Sequence, residues 1–62
     1  MVENRVRERR LELGMTLEQI SRESGVPVST ISDIEHGAEP GVLTALAIAR
    51  ALMKPVEGLW LD

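Results

Sequence analysis

The side chains with bonding or liganding chemistry gather in one window, residues 28–36, which reads VSTISDIEH. It holds the hydroxyls of Ser29, Thr30 and Ser32, the carboxylate of Asp33 and the imidazole of His36, the only histidine in the 62-residue chain. There is no Cys or Tyr, and the other carboxylates are scattered along charged stretches with no partner to shift their pKa values. Catalysis is therefore not expected. Asp33 and His36 stand at i and i+3, a spacing that puts two metal ligands on one helical face, but a zinc site takes at least three protein ligands. No metal or cofactor is expected. What the window can do is recognise a surface: hydroxyls donate and accept, Asp33 accepts, and Val28 offers a methyl contact.

The elements that position this window are written in residues 16–37, TLEQISRESGVPVSTISDIEHG. Thr16 and Gln19 form a capping-box pair, so Thr16 predicts the N-cap of a helix ending at Ser24 and Gly25. Val26 reads as an apolar residue buried at the turn. Pro27 sits at or beside the first position of a second helix, where a missing N–H costs nothing. Ile31 and Ile34 recur at i and i+3, which turns one face of residues 28–36 inward and leaves Val28, Ser29, Ser32, Asp33 and His36 on or near the other. Gly37 ends that helix. The layout is a helix-turn-helix, which serves both DNA recognition and ordinary structural corners; the spacing alone leaves both open.

The rest of the chain reads as helix too. Residues 4–13 carry Val6, Leu13 and the stem of Arg10 on one side, with Gly14 as the stop. Pro40 and Gly41 precede residues 42–52, where Val42, Ala45, Ile48, Ala49 and Leu52 follow the helical core pattern. Pro55 opens a last short helix with Val56 and Leu59 facing the core. No period-2 alternation of β-branched and aromatic residues is present. An all-α, five-helix single domain spanning residues 1–62 follows, near the lower size limit for one core and without disulfides to help it. The charged start and the lack of any long apolar run predict no membrane span, and the lack of cysteine fits a reducing cytoplasm.

With G-M-T at 14–16, G-V at 25–26, S-T-I-S at 29–32, I-E-H-G at 34–37 and I-A-R-A-L at 48–52, the chain resembles the phage-repressor, Cro-like (XRE-type) helix-turn-helix family of transcription regulators. The resemblance covers almost the whole length. It implies a compact, lambda-repressor-like domain that binds operator DNA as a dimer, with the helix at 28–36 in the major groove. It further implies a buried ion pair between Arg10 and Glu35, base contacts from Val28, Ser29, Thr30, Ser32 and Asp33, and phosphate contacts from Arg10, Thr16, the backbone of Leu17, and His36, which lies where the helix dipole favours a cation.

Against that pattern, none of the base-facing residues is Arg, Lys, Asn or Gln, so the commonest bidentate base contacts are missing. Leu17 stands where relatives commonly have a phosphate-binding glutamine, and the loop after the recognition helix, Ala38-Glu39-Pro40-Gly41, is acidic. Seven basic residues face ten acidic ones, a net charge of −3, with Arg5, Arg7, Arg9 and Arg10 clustered near the N-terminus. A single domain should bind double-stranded DNA weakly, which makes dimerisation important. Leu43, Leu46 and Met53, with Trp60 and Leu61, exceed what one buried face needs and are the expected homodimer surface; Trp60 folding back onto its own core is the alternative. A protein-interaction module, or the regulatory head of a larger assembly, that keeps the fold but not the DNA is the second functional reading. A fused or separate effector domain is left open.

Overall fold

Capping contacts mark several of the helix boundaries. The computed structural model describes residues 3–60 and contains, among them, five helices and no strand: α1 (Val6–Glu12), α2 (Leu17–Ser24), α3 (Val28–Glu35), α4 (Val42–Ala51) and α5 (Val56–Trp60). Leu61 lies outside the described residues. At the start of α2 the Thr16 hydroxyl accepts from the Gln19 amide at 3.1 Å and the Gln19 side chain accepts from the Thr16 amide at 2.7 Å. The expected capping box is therefore formed in full.

The first helix is shorter than the expected 4–13. Asn4 is not part of it; its side-chain oxygen accepts from the Val6 amide at 3.0 Å and so ties down an amide that the helix leaves unpaired. Leu13 is the C-cap and is followed by Gly14 with a positive φ. His36 and Leu52, expected as the last residues of α3 and α4, are likewise their C-caps. After α1 the Gly14 amide donates to the Leu11 carbonyl and the Met15 amide to that of Arg10, and after α3 the Gly37 and Ala38 amides donate to the Ile34 and Asp33 carbonyls in the same way. After α4 the Met53 amide donates to the Arg50 carbonyl and the Lys54 amide to that of Ala49, so orphan carbonyls are satisfied. Met53 pays for this with φ +54°, the left-handed conformation that glycine takes at the equivalent places after α1 and α3.

The turn between α2 and α3 is built by three residues. Gly25 has φ +76° and closes α2, its amide donating to the Ser21 carbonyl at 2.8 Å. The Ser24 hydroxyl accepts from the Val26 amide at 3.1 Å, and Val26 drops into the core. Pro27 is the N-cap of α3. Nothing lies within 4 Å of a Cβ built on Gly25, so Gly25→Ala tests the backbone alone. It is expected to cost about 1–2 kcal/mol in a urea titration, the strain of holding an L-residue left-handed. A loss below the error of the fit would show that the turn relaxes freely.

Val6, Ile20, Ile31, Ile34, Ile48, Leu52 and Leu59 form the fully buried centre. α2 packs on both α3 and α4, α1 on α3, and α5 on α4. One expected core residue is not there: Val42 is 76% exposed. It is the first residue of α4 and stands one turn before Ala45, the first buried position of that helix. Periodicity marks a face along the whole helix; burial needs a partner over each turn of it.

Candidate nucleic-acid interface

α3 is held by its inner face and its C-terminal end, which leaves the outer face free. Ile31 and Ile34 anchor it to the core. At its end the Arg10 guanidinium meets the Glu35 carboxylate in a two-pronged contact, Nε to Oε2 at 2.8 Å and Nη2 to Oε1 at 3.2 Å. The two side chains are only 11% and 3% exposed. Arg10 Nη1 donates to the Met15 carbonyl at 3.0 Å, so one side chain joins α1, the loop before α2, and α3. Its pKa is raised above the ordinary arginine value, first by the hydrogen bond to Glu35, with further help from the charges of Glu35 and Glu18 and against the opposing effect of burial. A raised folded-state pKa adds stability that is complete below the unfolded arginine value and is lost only as pH climbs through the folded one. Loss of the Arg10 charge thus weakens the clamp only in strong alkali.

A second tie was not expected from the sequence. Asn4 Nδ2 donates to the Ile34 carbonyl at 2.8 Å, fastening the last turn of α3 to the segment before α1. Arg9, grouped above with the basic supply near the N-terminus, is also employed internally. Its Nε donates to the Leu52 carbonyl at 3.0 Å and Nη2 to that of Met53 at 3.5 Å, so it caps α4. No local sequence signal marks either contact, because the partners lie 30 and more than 40 residues away.

On the outer side of α3, Ser29, Asp33 and His36 are exposed, while Val28, Thr30 and Ser32 are half-buried. No ion pair of Asp33 occurs among the described residues. The His36 Nδ1 lies 2.7 Å from the Ser32 carbonyl, an acceptor, so that nitrogen carries a proton. Nε2 is the nitrogen left for an outside contact, and it donates to a phosphate only when the ring is an imidazolium.

The four residues assigned to phosphates thus differ in what they can still offer. The Thr16 amide is spent on Gln19, its hydroxyl keeps a proton to donate, and Leu17 is half-buried against the core with its first-turn amide outside the helix ladder. Arg10 has three N–H groups engaged within the protein. Glu18, exposed in the first turn of α2, adds a negative charge beside this end that the sequence reading passed over.

The apolar surface lies elsewhere. Leu43 is 82%, Leu46 44% and Met53 71% exposed, and Val42 joins them. Trp60 does not stand out in the same way: it is half-buried and packs on the core, and its indole Nε1 is buried without an acceptor among the described residues. The apolar ring gains more by packing on the core than by standing in water.

A family model described as helix-turn-helix matches residues 6–59, from the first residue of α1 to within one residue of the end of α5. The chain belongs to this helix-turn-helix family, of the Cro and C1 (XRE) type, a family of DNA-binding regulatory domains. No curated protein matches the chain. Among the described residues, no helix is long and apolar enough to cross a membrane.

Proposed function

We propose that the chain, acting as one domain, is a sequence-specific transcription regulator that binds operator DNA as a homodimer, with the outer face of α3 in the major groove. The observation that carries this reading is the clamp on α3. Arg10 and Asn4 fix its far end while Ser29, Asp33 and their neighbours stay open, so a rigid helix presents polar groups at its surface. Such pre-organisation lowers the ordering cost of binding. Base readout would rest on Val28 against a thymine methyl, on the hydroxyls of Ser29, Thr30 and Ser32, and on Asp33 accepting from a cytosine amine. The Leu17 amide, the Thr16 hydroxyl and protonated His36 would meet phosphates, with Arg10 acting chiefly through the position of α3.

Few cations remain to neutralise phosphates. Arg9 and Arg10 are engaged internally and Arg5 lies 3.9 Å from Glu8. The slope of log K against log salt is therefore expected to be shallow, about two to four units at roughly 0.9 per phosphate. Selection from a pool of random duplexes at low salt, followed by a salt titration on the enriched sequence, tests the reading. Recovery of a two-fold sequence supports it, and a pool with no enrichment sinks it. The exposed Asp33, which has no ion pair among the described residues, with Glu18 and Glu39 also exposed, favours the second reading, docking onto a basic protein surface, in that event.

A further inference from the structure

Resting on the dimer reading, we infer a register for it: two copies pack α4 against α4 antiparallel about a two-fold axis midway between Leu43 and Leu46, with Glu39 of each copy against Arg50 of the other. Leu43, Leu46 and Arg50 stand at i, i+3 and i+7, so they share one face of α4, and all three are exposed. That face lies opposite the buried stripe of Ala45, Ile48 and Ala49, so a second molecule can reach it without disturbing the core.

Charge chooses the direction. α4 has no acidic residue and carries Arg50 in its last turn, whereas exposed Glu39 stands two residues before its N-cap, Gly41. Neither forms an ion pair among the described residues. Parallel packing would set Arg50 beside Arg50 and Glu39 beside Glu39. Antiparallel packing sets each against its opposite and opposes the two helix dipoles as well. Glu39 precedes α4 and Arg50 lies in its last turn, on either side of the leucine pair, so the two-fold axis that sets Leu43 against Leu46 of the second copy also brings Glu39 of each copy toward the Arg50 end of the other. At about 1.5 Å per residue α4 is only about 15 Å long, which makes the contact small for a permanent dimer and predicts weak association that DNA would reinforce.

Sedimentation of Glu39→Lys, of Arg50→Glu and of their equimolar mixture tests the register, with circular dichroism confirming that each is folded. Each variant alone sets like charges together twice per dimer and is expected to raise the dimer Kd about five- to tenfold, the effect of two exposed pairs. The mixture restores both attractions in a mixed dimer and should return close to the wild-type Kd. Wild-type association should also weaken several-fold from about 0.05 to about 0.5 M salt as the pairs are screened. A mixture no tighter than its components, or a salt-independent dimer, overturns the register; if Leu46→Asp nevertheless gives a monomer, the dimer reading survives with another geometry. A wild type that is monomeric at every concentration overturns both and leaves the duplex selection to decide DNA binding.

Discussion

Arg10→Ala is expected to lower stability by about 3–5 kcal/mol, the cost of leaving a buried charge without its partner. Glu35 would keep a carboxylate only 3% exposed and lose the hydrogen bonds at 2.8 and 3.2 Å that satisfy it. The Met15 carbonyl would lose its donor as well. A domain of 62 residues has about 3–9 kcal/mol in all, so the variant loses a third or more of its stability and its thermal midpoint in far-UV circular dichroism should fall by roughly 12 °C or more. The double variant Arg10→Met with Glu35→Leu replaces the pair by apolar groups and should recover much of the loss, because neither charge then has to be desolvated. A single variant that melts within a few degrees of wild type would mean that water reaches Glu35 and that the clamp on α3 is not what holds the recognition helix in place.

Asp33→Asn is expected to raise affinity for duplex DNA about tenfold or more at sequences offering adenine to α3. The carboxylate is exposed and has no ion pair among the described residues, so its charge faces outward. Near phosphates it repels. The amide removes that repulsion and gains the donor and acceptor that read adenine, a bidentate contact of about 1–3 kcal/mol. Stability should move by no more than about 0.5 kcal/mol, as for other exposed positions, which separates a binding effect from a folding one. Fluorescence anisotropy on a panel of duplexes that differ at single base pairs is the measurement. Equal affinity of the two proteins across the panel would mean that this face of α3 does not meet DNA.

The parts of the molecule that were legible in the sequence are those whose causes lie within a few residues. Thr16 and Gln19 are three apart, and a capping box needs nothing further. Gly14, Gly25 and Gly37 all take the positive φ that ends a helix. Met53 takes it as well, and nothing about a methionine announces that; the close of α4 at this point is helped by Arg9, which caps the Leu52 and Met53 carbonyls from across the domain. The Arg10–Glu35 pair was legible only through family resemblance, since 25 residues separate the partners and neither type signals burial.

The sequence by itself determined the five helices, the turn that joins α2 to α3, and which side of α3 carries hydroxyls and a carboxylate, because helical period and capping are properties of short stretches of chain. Only the tertiary structure decided how those faces are used. It left Val42 in water at the start of α4, laid Trp60 on the core, and turned Arg9 and Asn4 inward as ties between distant segments. The physical reason is common to all four: amphipathic spacing fixes the direction in which a side chain leaves its helix, but burial and pairing depend on which other element lies in that direction, and that is set by the packing of the whole chain.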